Sequence, residues 1–313
     1  MSLLRSELQE SARKAFGNDA PNGDAAACWT KLSDMGWFMI CAPEASGGLG
    51  MGLEALGVIH GELGRVLAPG GAIAQMLVVE ALAQADAAAG VGALLERAMA
   101  GEIMTTTLCH GIDADQASHV LLVEPGRIAL APTDTIMPRT SWDSTRRLFD
   151  VAPADAAITL AQGGAAAALG DRLRAMLLVA LAADSLGAAD AVLAITIDYL
   201  KVRRQFDRPL ALFQALKHRL ADLKVGLATA EALFWSRCHD GESLPRLGAL
   251  KAHVATCALR VAEEAIQLHG GIGLTAEHPC HLFLKRILLN RAWGGDPDLW
   301  EEVAGRALLN APA

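Results

Sequence analysis

The stretch from Ala175 to Ile197 is long and apolar, and it limits the folds open to this chain. By length and composition it would be sufficient for a membrane-spanning helix. It also carries Asp184 and Asp190, and carboxylates at bilayer depth are costly. We therefore predict a helix buried inside a helical bundle and no contact with a membrane.

The composition supports a large soluble core and excludes some function classes. Of 313 residues, 52% are hydrophobic, so the chain can bury a sizeable core. The formal charge of −8, from 27 basic and 35 acidic residues, is unsuited to a nucleic-acid binder. The polar N-terminus does not resemble a secretory signal, so we expect a cytoplasmic protein.

Six cysteines are scattered along the chain without a CxxC pair, which is typical of free thiols in a reducing compartment. The adjacent pairs Cys238-His239 and Cys280-His281 could suggest a metal. Adjacent residues lack the usual ligand spacing of structural zinc sites, so we predict no metal.

Residue patterns divide the chain into helices, then strands, then helices. Residues 1–102 read as an N-terminal helical domain that includes one helix over Val78–Ala100. Residues 103–165 read as a small β domain, with a hairpin at Glu124-Pro125-Gly126. Residues 166–313 read as a C-terminal four-helix bundle. The predicted strands are Thr105–Leu108, His119–Val123, Arg127–Leu130 and Arg147–Val151, and the predicted bundle helices are Asp171–Lys201, Gln214–Asp240, Leu244–Leu268 and Pro279–Asn290.

Three stretches, in this order, resemble the acyl-CoA dehydrogenase family. The first runs from Trp29 to Arg65 and includes the Pro43–Gly50 loop. The second is Tyr199-Leu-Lys-Val-Arg-Arg-Gln-Phe-Asp-Arg-Pro-Leu210 with Phe213-Gln214. The third is Gln267-Leu-His-Gly-Gly-Ile-Gly-Leu274. The resemblance implies the fold already predicted, mainly α with a small β domain, and FAD bound at a subunit interface.

The resemblance also implies the residues that hold the cofactor. Arg203 occupies the position of an arginine that contacts the pyrophosphate, and Gln214 that of a glutamine directed at the nucleotide. Phe206 would pack against the cofactor, and Gln267, Gly270 and Gly271 would form a turn that lets backbone amides approach an anion. The alternatives stay open: a surface arginine, a core phenylalanine, an exposed helical glutamine and a glycine C-cap.

The expected catalytic glutamate is missing from both positions where the family carries it. The usual position, 27 residues after Gln267, is Gly294. The other position, on the first bundle helix, aligns with Leu177. Replacement candidates are Asp184, whose pKa burial could raise, and four carboxylates near the usual position. These four are Asp296, Asp298, Glu301 and Glu302.

The absence of the family's glutamate leaves two possible functions for this chain. In one, the chain is an FAD-binding subunit for α,β-dehydrogenation of an acyl-CoA thioester, with the base on a partner chain or relocated. Its partners would be the acyl-CoA, an electron-transfer flavoprotein-like acceptor, and further subunits in a homo- or hetero-oligomer. In the other, the chain is a non-redox subunit, dehydratase-like or structural, of the same fold. We further expect Asp143 and Arg147 to form a structural ion pair.

Overall fold

The computed structural model describes residues 3–18, 20–21, 23–85 and 90–310, and within them helices precede and follow a small sheet. The first group of helices is α1 (Leu3–Phe16), α2 (Ala25–Asp34), α3 (Gly52–Arg65), α4 (Ala72–Ala83) and α5 (Val91–Met99). The second group is α6 (Gly163–Val202), α7 (Gln214–Arg237), α8 (Leu244–His269), α9 (Cys280–Ala292) and α10 (Pro297–Leu309).

The sheet lies between the two groups of helices. Its strands are β1 (Thr105–Thr106), β2 (His119–Glu124), β3 (Arg127–Arg139), β4 (Leu148–Pro153) and β5 (Ile158–Gln162). The long strand β3 pairs antiparallel with β2 and β5 through its first half and with β4 through its second half, while β1 runs parallel to β2. The predicted hairpin is confirmed: Glu124 pairs with Arg127, and Gly126 adopts φ +75° in the turn.

Helix α6 is the core of the fold. Its apolar length would allow it to cross a membrane, but 72% of its most apolar window is buried inside the protein. Helix α3 packs directly on its backbone, because a Cβ at Gly64 would lie 2.0 Å from the carbonyl oxygen of Asp184. A Cβ at Gly187 would lie 1.8 Å from that of Gly61. These glycines let the N-terminal helices dock against the bundle at backbone distance.

Several predicted element bounds were wrong. The single helix over Val78–Ala100 is two helices, because α4 ends at Ala83 and α5 begins after Gly90, which has φ +90°. Residues 86–89 of that prediction lie outside the described residues. Strand β5 and helix α10 were not predicted, and the strand predicted over Thr105–Leu108 gives way to a 3₁₀ turn after Thr106. The sequence does carry a signal for α10: Asp296 caps its start and Pro297 is its first residue.

A buried cluster of four charges joins separate parts of the chain. Arg286 donates to Asp143 at 2.9 Å, to Asp184 at 3.2 Å and to the carbonyl of Ala68 at 3.0 Å. Arg146 donates to the same Asp184 oxygen at 2.8 Å. All four charged side chains are at most 5% exposed, and their charges sum to zero. The cluster thus ties α6 and α9 to the β3–β4 link and to the link between α3 and α4.

The predicted Asp143–Arg147 ion pair was wrong. One oxygen of Asp143 accepts from the backbone and hydroxyl of Thr145, and the other accepts from Arg286. Arg147 instead pairs with Asp113 at 3.0 Å and Asp115 at 2.8 Å. One oxygen of the Asp143 carboxylate thus accepts hydrogen bonds from its own turn, and the other accepts from an arginine distant in sequence.

We expect Arg286→Ala to lower the free energy of unfolding by about 3–5 kcal/mol, because it leaves two buried carboxylates with one buried arginine. Urea unfolding followed by circular dichroism measures this. Arg306→Ala is the matched control, since it removes an arginine whose ion pair with Glu302 is exposed, and it should change little. Equal effects of the two substitutions would contradict the role assigned to the cluster.

Candidate functional site

A short hairpin follows α6 and presents Phe206 to the surface. Arg204–Gln205 pairs antiparallel with Arg208–Pro209, and the turn between them places Phe206 at φ +51° and Asp207 at φ +63°. Left-handed backbone is unfavourable for a phenylalanine. The side chain is nevertheless 86% exposed, and its ring makes an edge contact with that of Phe213 at 6.2 Å between ring centres. The alternative of a core phenylalanine is therefore excluded, and the turn places the aromatic ring on the surface.

Arg203 and Gln214 lie on either side of this hairpin. The carbonyl of Arg203 accepts from the amide of Leu210 at 2.8 Å, which folds the segment back on itself. Gln214 is the first residue of α7, a helix of 24 residues whose start has no side-chain cap. Both side chains are exposed, and within the described part of the chain the Arg203 guanidinium has no ion pair. An uncapped helix start and an arginine are groups that suit a phosphate ligand.

The third stretch forms the end of α8. Gln267 is exposed in the last turn, and Gly270 adopts φ +65° and ψ −144°, which glycine alone tolerates. At Gly271 a Cβ would meet nothing within 4 Å among the residues that the structure describes, so none of their contacts requires glycine there. Tyr199 stacks on His269 at 4.5 Å between ring centres, which connects this turn to the end of α6. Sequence reasoning gave Tyr199 no such role, although it is the chain's single tyrosine.

Gly294 and Leu177, the two places where we looked for a base, lie against each other. A Cβ at Gly294 would be 3.4 to 3.6 Å from the side chains of Leu181, Leu178 and Leu177. All three leucines are 2% exposed. The position is therefore lined by tightly packed aliphatic groups, none of which accepts a proton.

The Gly294-Gly295 loop is fixed by two long side chains. The Lys251 ammonium donates to the carbonyls of Arg291 at 2.7 Å and Gly295 at 2.6 Å. The indole of Trp300 donates to the carbonyl of Gly294 at 2.7 Å. The sequence held a signal for Lys251 that we did not use: it stands at helical spacing from the buried residues Leu247 and Val254, on the apolar face of α8.

Asp184 does not have the raised pKa that we expected of a relocated base. Burial alone would raise it, but Arg146 and Arg286 outweigh burial and hold the pKa below its ordinary value. Asn290 adds a hydrogen bond at 2.7 Å. A carboxylate held ionised between two guanidinium groups is a poor proton acceptor.

The carboxylates beyond Gly294 have local partners or face solvent. Asp296 caps α10 by accepting from the amide of Leu299 at 2.9 Å. Glu302 pairs with Arg306. Asp298 and Glu301 are exposed in the first turns of α10.

Comparison with known proteins identifies the family. Residues 2–74 match the N-terminal domain model of acyl-CoA dehydrogenases, and residues 177–309 match the C-terminal domain model. A relative from Mycobacterium tuberculosis, acyl-CoA dehydrogenase IpdE2, is 33% identical over 299 residues and covers 90% of each chain. The chain belongs to the acyl-CoA dehydrogenase family.

Solved structures agree with this assignment. A steroid acyl-CoA dehydrogenase, the Tcur3481-Tcur3483 G363A variant, is 26% identical with a TM-score of 0.82 over 98% of both chains. The ChsE4-ChsE5 complex from Mycobacterium tuberculosis has a TM-score of 0.79 over 100% of this chain and 99% of its own, at 21% identity. As an acyl-CoA dehydrogenase family protein, the chain has the fold of FAD-binding flavoproteins. Its exposed Arg203, protruding Phe206 and open turn at Gly270-Gly271 fit such a cofactor.

Lys251, which holds the Gly294-Gly295 loop, should make the stability of the protein depend on pH in a testable way. Burial lowers its pKa to about 8, whereas an unfolded lysine has a pKa of about 10.4. Between these two pH values Lys251 is protonated in the unfolded chain and neutral in the folded one. Its contribution to the free energy of unfolding therefore rises with pH. We expect the unfolding free energy of the wild type, relative to Lys251→Met, to increase by up to about 1.4 kcal/mol per pH unit there. Urea unfolding at a series of pH values measures it, and a flat or falling difference would contradict it.

Proposed function

We propose that this chain is the FAD-binding, base-lacking subunit of a heteromeric acyl-CoA dehydrogenase. The observation that carries the proposal is the packing of Gly294 against Leu177. The two places where the family carries its glutamate form one aliphatic surface here, so restoring the base would require more than one substitution. The structural roles of Asp184, Asp296 and Glu302 argue against a relocated base within this chain.

The cofactor-facing residues support the FAD-binding part of the proposal. Arg203 and the start of α7 at Gln214 would bind the pyrophosphate and nucleotide. Phe206 would stack on the cofactor, and the backbone at Gly270-Gly271 would approach it closely. FAD, when bound, supplies the acceptor for the hydride that leaves the β-carbon of the acyl-CoA. The α-proton would go to a carboxylate of the partner chain, and an electron-transfer flavoprotein-like protein would take the electrons onward.

Exposed apolar surface supports an oligomer. Val202, Phe206, Leu212 and Leu274 are each more than half exposed. The buried residues of the 24-residue helix α7 are Leu223, Leu227, Ala230 and Phe234. A helix of this length with so little buried surface gains its stability from packing against another chain.

Two of the structural neighbours suggest the kind of partner and substrate. One is a complex of two different proteins, ChsE4 and ChsE5, and the other is a steroid acyl-CoA dehydrogenase. By analogy, we propose an unlike partner chain, an acyl-CoA from lipid or steroid breakdown, and action in the cytosol.

The test is co-purification with a second acyl-CoA dehydrogenase-like chain that carries the glutamate. We expect a yellow complex that oxidises an acyl-CoA with an artificial electron acceptor, while the chain alone is inactive.

Arg203→Ala should weaken FAD binding to the complex by about 10–100-fold, because it removes one or two hydrogen bonds to a charged group. Lys201→Ala is the control, since Lys201 is exposed near the end of α6 and pairs with Asp198. A complex that stays colourless with added FAD would favour the non-redox alternative.

We further expect Gly294→Glu to leave the isolated chain inactive and to destabilise it more than Gly294→Ala does. Both variants place a side chain at φ +65°, which costs about 1–2 kcal/mol. Only the glutamate also brings a carboxylate against three buried leucines, which adds a desolvation cost. Activity assays and urea unfolding of the two variants measure this. If the Gly294→Glu chain alone dehydrogenated an acyl-CoA, one carboxylate would be enough to restore activity. That result would contradict the proposal that the packing around Gly294 makes this chain a base-lacking subunit.

A further inference from the structure

Three side chains that commonly bind metals meet where α8 gives way to α9. His269 is the last residue of α8, Cys280 is the first residue of α9, and His278 lies in the turn between them. One ligand atom from each lies within 4.8 Å of the others. His269 and Cys280 are buried and His278 is half-buried. Sequence reasoning considered Cys280 with His281 and predicted no metal, because adjacent residues lack the usual ligand spacing of structural zinc sites.

The His269 ring has one nitrogen free to coordinate a metal ion. Its Nδ1 donates to the carbonyl oxygen of Ala265 at 2.7 Å, so the free lone pair is on Nε2. This Nε2 is buried in a side chain that is 4% exposed, and within the described residues it has no hydrogen-bond partner. A buried nitrogen without a partner is costly. Histidine ligands of metals characteristically donate their other ring nitrogen to a carbonyl in this way.

The remaining two ligands stand close to this ring. The ring centre of His278 is 4.3 Å from that of His269. The Cys280 sulfur is 3.7 Å from Nδ1 of His269, the nitrogen that donates to Ala265, so the sulfur must move toward Nε2 to reach a metal there. Tetrahedral zinc with bonds of about 2.0–2.3 Å requires ligand atoms about 3.3–3.6 Å apart. The ligand atoms lie up to 4.8 Å apart, so a closure of about 1 Å or more would be needed, with half-buried His278 moving in its turn and the Cys280 side chain rotating toward Nε2.

We propose that His269, His278 and Cys280 form a zinc site that fastens the end of α8 to the start of α9. Two imidazoles and a thiolate favour Zn²⁺ over Mg²⁺ or Ca²⁺, which prefer oxygen ligands. Cys280 binds as the thiolate, so its proton is released to solvent when the metal enters. Three protein ligands leave the fourth tetrahedral position to water. The site uses none of the residues assigned to FAD, and the proposal does not depend on the proposed function.

The chain contains a second His–Cys pair that serves as a matched control. His253 and Cys257 lie one turn apart on α8, with nitrogen and sulfur 3.7 Å apart on the surface. This pair could bind a metal ion loosely with two ligands. Substituting it leaves the buried cluster intact, so it separates surface binding from the proposed site.

The experiment is a titration of the full chain with Zn²⁺ against a chromogenic chelator, and with Co²⁺ followed by absorption spectroscopy. We expect one tight Zn²⁺ per chain and a thiolate-to-cobalt charge-transfer band. His278→Ala, a substitution at a half-buried position, should weaken Zn²⁺ binding by about 100-fold or more, since losing even an outer-shell partner costs about 10–100-fold. Cys280→Ser should abolish the charge-transfer band. The double variant His253→Ala/Cys257→Ser should retain tight binding and the band.

Thermal unfolding provides a second readout. Zn²⁺ at a concentration that just saturates the wild type should raise the Tm of the wild type and of the surface double variant, and it should leave that of His278→Ala nearly unchanged. No tight Zn²⁺ in the wild type, unchanged binding in His278→Ala, or loss of binding in the surface double variant would each overturn the proposal. None of these results would bear on FAD binding, which the Arg203→Ala experiment tests separately.

Discussion

The ionic cluster around Arg286 determines how the parts of this chain fit together. A single guanidinium contacts Asp143 from the sheet region, Asp184 from the core helix and the carbonyl of Ala68 after α3. None of these groups is near another in sequence, and without the guanidinium each would lose a buried hydrogen bond. The three parts of the chain can therefore adopt only the relative arrangement that satisfies all of them.

The same cluster also limits the chemistry available to the chain. Asp184 lies on the core helix seven residues after Leu177, but two arginines hold it ionised and Asn290 orients it. It serves the fold, and its use as a base would require breaking the cluster. Leu177, Leu178 and Leu181 fill the neighbouring turns of α6 with aliphatic packing. The core helix thus supplies both the ionic contact of Asp184 and the aliphatic packing around Gly294.

The sequence predicted the fold class and most of the bundle helices, because long helices with a buried apolar face leave a periodic pattern. It failed where the structure depends on partners distant in sequence. The partner of Asp143 is Arg286, and no local spacing could have indicated it. Ala-rich periodicity hid the end of α4 at Ala83. For the candidate site, sequence indicated Arg203, Phe206 and Gly270 by resemblance but could not show that the positions of Gly294 and Leu177 meet in space.

Several local features have a cost in stability that nothing within the described residues offsets. Phe206 occupies left-handed backbone and is 86% exposed, and Gly271 is a glycine although a Cβ would have open space. Leu274 is 71% exposed three residues further on. A chain that functioned alone would gain stability by burying or replacing these side chains. Each feature is accounted for if a cofactor and a second subunit cover this surface, as the proposed function requires.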